Sequence, residues 1–210
     1  MERQKRLVWT GFEPFGQNTY NPSGSVASAA CQACREQFDA SAETLAVEFD
    51  GVRDWVDRQL DNDETIWAVH VGLAEDREAI ELERVAHNEV GERDDEAGRR
   101  PGAAGERLTG GPMSLETGFP VEPLAALLTP QLSRGGLPGV ELSDDAGRYV
   151  CNAIYYHSLR ANGHCHGTPN AQSLFVHVPR LDREDAARVG AILGESVARL
   201  AAMARMYEES

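Results

Sequence analysis

Apolar runs and stretches of helical periodicity alternate along most of the chain. Residues 66–71 form an almost continuous apolar run, which is typical of a strand that is covered on both faces. This alternation predicts an α/β fold in which helices cover both faces of a mostly parallel central sheet. The same reasoning predicts strands at 7–10, 44–49, 79–90, 140–142 and 173–178, and helices at 22–35, 52–60, 121–134, 149–161 and 182–206.

The ends of two helices and one long loop add detail to this outline. Asn21 is a suitable N-cap ahead of Pro22, and Asp182 is a suitable N-cap for the last helix. Residues 91–118 are charged and rich in glycine and follow neither period, so we expect a long loop there. Loops of this length inside compact domains are often functional.

Length, charge and cysteine content narrow the class of protein. The 210 residues suit a single domain over 1–210, and the formal net charge of -14 opposes binding to nucleic acid or to an anionic membrane. No run reaches transmembrane length and the N-terminus leads directly into the first predicted strand, so we expect a cytoplasmic protein. Four cysteines are too few and too unevenly spaced for a disulfide scaffold, so reduced thiols are expected.

Three residues near predicted strand ends have the side chains of a Cys-His-acid arrangement. Cys151 falls in the first turn of a predicted helix, where unpaired backbone N–H groups favour the thiolate. His177 ends an apolar strand and would act as the general base, while Glu83 would orient its ring. Taken singly, these residues could equally be an inert core cysteine, a core histidine and a solvated carboxylate. Residue type alone does not separate Glu83 from its acidic neighbours Glu75, Glu78 and Glu81.

Four short motifs occur in order along the chain. Residues 10–16 read TGFEPFG and are followed by Asn21-Pro22-Ser23, and three later segments read ERVAHN from 83, DAGRYVCN from 145 and FVHVP from 175. In this order they resemble the opening, glutamate, cysteine and histidine motifs of the pyroglutamyl peptidase I family, also called pyrrolidone-carboxylate peptidases. The resemblance runs from residue 7 to the final helix.

The resemblance implies a cysteine exopeptidase that hydrolyses the amide bond after an N-terminal pyroglutamyl residue. It makes Cys151 the nucleophile and His177 the base, and it selects Glu83 from the neighbouring glutamates as the orienting acid. It further implies a single-domain α/β/α sandwich, no cofactor, no metal, and commonly a homotetramer. The candidate substrate-binding residues are Phe12, Phe15, Arg93 and Val150.

The expected substrate has a physical signature that a pocket can recognise. A pyroglutamyl terminus is an uncharged lactam, whereas an ordinary peptide N-terminus carries an ammonium group that is costly to desolvate, so an apolar pocket would separate them. The resemblance implies that Phe12 and Phe15 pack on the lactam ring and that Arg93 is a candidate helper at the oxyanion. Leu73 is a departure, because many relatives carry glutamine there.

Two other interpretations of the sequence stay open. Cys31 and Cys34 have the spacing of a redox dithiol or of half a zinc site, although they lie inside a predicted helix without a second pair. A metal-binding or redox-binding α/β protein would use them and leave Cys151 structural. Its remaining ligands would be the adjacent residues His164, Cys165 and His166. The second interpretation keeps the fold and makes the chain a hydrolase of another small cyclic amide.

Overall fold

A computed structural model describes residues 6–60, 66–164 and 172–208. Its strands are β1 (Arg6–Phe12), β2 (Asp39–Leu45), β3 (Ile66–Leu73), β4 (Ile80–Glu83), β5 (Val85–His87), β6 (Ser114–Glu116), β7 (Val140–Ser143) and β8 (Gln172–Val178). Its helices are α1 (Pro22–Cys34), α2 (Phe49–Leu60), α3 (Val121–Arg134), α4 (Val150–His164) and α5 (Arg183–Glu208).

Six strands form the central sheet in the order β2-β1-β3-β8-β4-β7. Strands β2, β1, β3 and β8 are parallel to one another, and β7 is parallel to β4. The one change of direction within this sheet lies between β8 and β4, which pair antiparallel. The prediction of a mostly parallel sheet is therefore confirmed.

Two apolar layers cover the two faces of the sheet, because successive side chains of a strand point to opposite faces. Trp9 and Val176 pack with α1, α3 and α5 on one face. Val8 and Phe175 pack with α2 and α4 on the other face. This arrangement is the α/β/α sandwich that the alternation of apolar and polar positions predicted.

The predicted helix ends agree closely with the structure. The Asn21 side chain accepts a hydrogen bond from the Ser23 backbone N–H, and Pro22 occupies the first helical position of α1. The Asp182 side chain likewise accepts a hydrogen bond from the Asp185 backbone N–H at 2.8 Å at the start of α5. None of the helices within the described ranges is long and apolar enough to cross a membrane.

The prediction of a strand at 44–49 was wrong, because β2 spans Asp39–Leu45 instead. This edge strand is mostly exposed, and only Leu45 of its seven residues is buried, so it lacks the apolar pattern of an interior strand. The apolar residues that suggested the later range, Val47 and Phe49, leave the sheet and pack in the layer of α2 and α4.

The prediction of one strand over 79–90 was also wrong. The chain leaves the central sheet after Glu83, and β5 pairs antiparallel with β6 in a separate two-stranded sheet. Backbone hydrogen bonds from Arg84 N–H to Ser143 and from Thr117 N–H to Arg84 hold this crossing point at 2.7 and 2.9 Å. Strand β6 also interrupts the long loop expected over 91–118.

Candidate active site

The antiparallel junction between β4 and β8 places an acid beside a histidine. Glu81 is paired directly with His177, and Glu83 is paired with Phe175, which is two residues earlier on β8. Because side chains two residues apart share a face of the sheet, Glu83 and His177 are diagonal neighbours on the same face. The ends of two strands thus supply the acid and the base of the expected arrangement.

Glu83 and His177 are joined by a short hydrogen bond, in which Nδ1 of the ring lies 2.6 Å from Oε1 of the carboxylate. Both side chains are buried. An ionised carboxylate only accepts hydrogen bonds, so Nδ1 carries the proton and the lone pair of the neutral ring lies on Nε2. Nε2 is therefore the nitrogen that is free to accept a proton.

The partners of Glu83 keep it ionised in spite of its burial. Burial alone would raise the pKa of the carboxyl group, but the hydrogen bond and charge of His177 oppose this effect, as do hydrogen bonds from Ser143 and Arg77. The pKa of Glu83 consequently lies below its ordinary value. The acid is therefore negatively charged at neutral pH.

Cys151 reaches the site from the turn that joins β7 to α4. Gly147 in this turn has φ of +78°, a left-handed conformation that favours glycine. The helix starts at Val150, so Cys151 lies in its first turn, as predicted. The Cys151 side chain is only partly buried, and it lines a cavity of about 410 Å³ together with His177.

The resting state of Cys151 differs from the thiolate that its position in the helix favours. Part of the Cys151 side chain is accessible from the cavity, but the protein atoms packed around the sulfur desolvate a thiolate. This desolvation, followed by the negative charge of Glu83, raises the pKa of Cys151 to about 12. A hydrogen bond from its own backbone N–H and the charge of Arg77 act in the opposite direction and are weaker. The start of the helix thus lowers the pKa of Cys151, as expected, but burial raises this pKa by more. Cys151 is therefore a thiol at neutral pH.

Aromatic side chains form the wall of the cavity that faces Cys151. Phe12, Phe15 and Tyr149 all line it, and Phe12 is buried while Phe15 is partly exposed. The guanidinium of Arg93 lies 5.5 Å from the ring centroid of Phe15 and 4.7 Å from that of Tyr149. Arg93 also forms an ion pair with Glu96, with 3.6 Å between nitrogen and oxygen. The structure therefore brings Phe12, Phe15 and Arg93 to the cavity of Cys151.

Val150 is placed differently from the other candidate residues. Its side chain is fully buried in the apolar layer of α2 and α4, and it is absent from the lining of the cavity. Only its backbone is left to face a ligand. Arg77 and Tyr149 are among the cavity residues that were not predicted from the sequence. Tyr149 could have been found from its place two residues before Cys151 in the cysteine motif.

The cysteines of the metal or redox interpretation are packed in the core. Cys31 and Cys34 are free and buried on α1, and the Cys34 thiol donates a hydrogen bond to the Gly194 carbonyl at 3.3 Å. Burial raises the pKa of Cys34 to about 12. No group of three or more His, Cys, Asp or Glu side chains in the described part of the chain could hold a metal ion. Cys165 and His166 lie outside the described residues, as does the side chain of His164.

Comparison with known proteins supports one family. Residues 5–199 match the family model described as pyroglutamyl peptidase. The pyrrolidone-carboxylate peptidase of Chromobacterium violaceum is 34% identical over 89% of this chain and 83% of its own length. The pyrrolidone-carboxylate peptidase of Pyrococcus furiosus is 28% identical over 88% of this chain and 86% of its own length.

A solved structure has the same fold. The crystal structure of pyroglutamyl peptidase I from Bacillus amyloliquefaciens matches with a TM-score of 0.73 at 24% identity, over 93% of this chain and 96% of that one. Because the family model matches residues 5–199, nearly the whole chain, the chain belongs to the pyroglutamyl peptidase family.

Proposed function

We propose that Cys151, His177 and Glu83 hydrolyse the amide bond that follows an N-terminal pyroglutamyl residue. One observation carries this assignment of roles. His177, which is joined to Glu83 at 2.6 Å, lines the same cavity as Cys151 in the first turn of α4. Membership of the pyroglutamyl peptidase family supports the reaction, and the geometry is consistent with the proposed role of each side chain.

The protonation states suggest how the reaction starts. Because Cys151 is a thiol, it must lose its proton to Nε2 of His177 as its sulfur attacks the carbonyl carbon. The electron pair of the carbonyl moves to oxygen, where N–H groups in the first turn of α4 are suitable donors. The Glu83 carboxylate stabilises the imidazolium that results.

The remaining steps return the site to its starting state. The tetrahedral intermediate expels the amine of the shortened peptide, which takes the proton from His177, and leaves an acyl-enzyme on Cys151. A water molecule then gives a proton to His177 and attacks the acyl carbon. Collapse of this second intermediate breaks the bond to sulfur, returns the proton to Cys151 and releases pyroglutamate.

The cavity also supports selection of a lactam over an ammonium group. Phe12, Phe15 and Leu73 give it an apolar portion next to the nucleophile. An ordinary peptide N-terminus would have to give up the hydration of a charged ammonium group in this apolar portion, which costs more than taking a neutral lactam out of water. This apolar lining accounts for a preference between two termini of similar size.

Three broader expectations belong to the same proposal. The chain acts as one peptidase domain, which the family match over residues 5–199 supports. It works in the cytoplasm, where a thiol nucleophile stays reduced. It assembles as a homotetramer, as the resemblance to the family suggests. Sedimentation analysis of the purified protein tests the last point, and a monomeric mass at micromolar concentration would contradict it.

Hydrolysis of a fluorogenic pyroglutamyl amide tests the proposal directly. Cys151→Ala and His177→Ala should each lower kcat by about 10³-fold or more, and Glu83→Gln by about 10²-fold. Cys34→Ala is the matched control, because it removes a buried thiol that lies on the opposite face of the sheet from Cys151. Full turnover by Cys151→Ala would reject the nucleophile, and a wild-type protein that cleaves a proline amide as well as the pyroglutamyl amide would reject the substrate.

A further inference from the structure

Arg77 connects two parts of the site that come from different strands. It follows β3, and its side chain is 22% exposed where it lines the cavity of Cys151. Its Nη1 donates a hydrogen bond to Oε1 of Glu83 at 2.6 Å and also contacts the Glu81 carboxylate. Its Nη2 donates to the backbone carbonyl of Asp145 at 2.8 Å. One guanidinium therefore holds both the acid and the turn that leads to the nucleophile.

The fork of the guanidinium suits this connection. Asp145 belongs to the turn between β7 and α4, whereas Glu83 ends β4, so the two contacts join the nucleophile side of the site to the base side. Arginine offers several N–H donors in a fixed plane and can keep both partners at once. A residue with a single donor group would have to give up one of them.

Arg77 also contributes charge at the point where protons move. Its Nη1 lies 3.5 Å from Nδ1 of His177 and is attracted to the same oxygen of Glu83. A cation this close opposes a second positive charge on the ring and favours negative charge on the nearby sulfur. Glu81 and Glu83 are the carboxylates that face it, and they limit the size of this effect.

We propose that Arg77 is a positioning residue of the peptidase, which aims Glu83 at His177 and holds the turn before Cys151 in place relative to them. The inference rests on the proposed function, because it assumes that His177 is the base. It adds a role for a residue whose sequence context carries no motif. Arg77 acts through Glu83 and Asp145, and no bond to the substrate is required of it.

Arg77→Met removes the charge and both hydrogen bonds while it keeps much of the side-chain volume. We expect kcat/KM to fall about tenfold to a hundredfold, mainly through kcat. The reason is that the hydrogen bonds that fix the base relative to the nucleophile are lost. We also expect the acid limb of the pH profile of kcat/KM to move to higher pH, because a positive charge is removed from the site. A merely structural role would lower activity without moving this limb.

Two further variants separate charge from geometry. Arg77→Lys retains a positive charge but cannot bridge Glu83 and Asp145 together, so it should lower kcat and leave the acid limb near that of the wild type. Arg84→Met is the matched control. The Arg84 guanidinium donates to the Asp144 side chain at 2.7 Å, next to Asp145, and makes no hydrogen bond to the Glu83 side chain or to His177. It should stay within about twofold of the wild type, with an unmoved acid limb.

Alkylation of Cys151 by iodoacetamide provides a measurement that needs no peptide. Arg77→Met should react several times more slowly than the wild type at pH 8, because a cation that stabilises the thiolate is removed. If the wild type does not cleave pyroglutamyl amides, the proposed function fails, and the alkylation rates still decide the role of Arg77. The inference is overturned if Arg77→Met keeps the kcat, the acid limb and the alkylation rate of the wild type. It is also overturned if Arg84→Met moves the acid limb as far as Arg77→Met does. If Arg77→Met does not fold, wild-type kcat in Arg77→Lys overturns it.

Discussion

Gly72 lies on β3 next to Cys151, the proposed nucleophile, and the space around it leaves no room for a side chain. A Cβ atom at this position would lie 2.9 Å from Sγ of Cys151 and 2.7 Å from Cζ of Phe175. Both distances are shorter than an ordinary van der Waals contact by about 0.5 Å or more. Gly72→Ala must therefore displace the sulfur, the ring or the strand.

The ring of Phe175 is the least able to move. It is fully buried and in contact with the rings of His70, Tyr155 and His177, with centroid distances of 6.3, 5.9 and 4.7 Å. Cys151 is only partly buried and lines an open cavity, so the displacement falls mainly on the nucleophile. A shift of this size should reduce kcat about tenfold to a hundredfold, while overpacking lowers the free energy of unfolding by about 1 to 3 kcal/mol.

Steady-state kinetics on the fluorogenic amide and urea unfolding measure the two effects separately. Gly139→Ala is the matched control, because an added Cβ at Gly139 meets nothing within 4 Å and the residue does not have a positive φ. We expect Gly139→Ala to keep wild-type kcat and stability. The reasoning is refuted if Gly72→Ala keeps wild-type kcat, or if Gly139→Ala loses as much activity.

Two further predictions concern pH. His70 is fully buried between the Thr10 and Ser158 hydroxyls, at 2.8 and 2.9 Å, and burial lowers its pKa to about 3. Between about pH 6.5 and 3 the unfolded chain binds a proton there that the folded chain does not, so acid should lower the free energy of unfolding by about 1.4 kcal/mol per pH unit. His70→Gln should lose this part of the slope in urea titrations, and an unchanged slope would exclude His70 as its source. Since the pKa of Cys151 is raised to about 12, its alkylation rate should climb steadily from pH 6 to 9, whereas a plateau below pH 7 would indicate a resting thiolate.

Local signals in the sequence predicted the helices better than the strands. Residues 121–134 were predicted as a helix and form α3 with the same bounds, and Asn21 and Asp182 cap their helices as expected. Such signals act within a few residues of one another. The edge strand β2 was misplaced because pairing with β1 holds it in the sheet, and this long-range contact leaves no apolar pattern in Asp39–Leu45.

The roles of the site residues depended on contacts that residue type does not encode. Glu81 and Glu83 share one face of β4, yet Glu83 holds the ring of His177 and Glu81 contacts Arg77. The resemblance to a family selected Glu83. The register alone would favour Glu81, which is paired directly with His177, and the side-chain hydrogen bond at 2.6 Å is what identifies Glu83. Arg77 was missed because its partners on β4 and after β7 become neighbours only in the folded sheet.

Burial of Cys151 and the pairing around Glu83 together determine where charge appears in the proposed reaction. Hydrogen bonds from His177 and Arg77, both at 2.6 Å, keep the buried Glu83 carboxylate ionised. A resting thiolate would add a negative charge that burial and Glu83 both disfavour. Transfer of the proton to His177 therefore accompanies attack on the substrate, when negative charge passes from sulfur to the carbonyl oxygen. The N–H groups at the start of α4 then meet charge that develops in the transition state, and their contribution is made to the rate rather than to substrate binding.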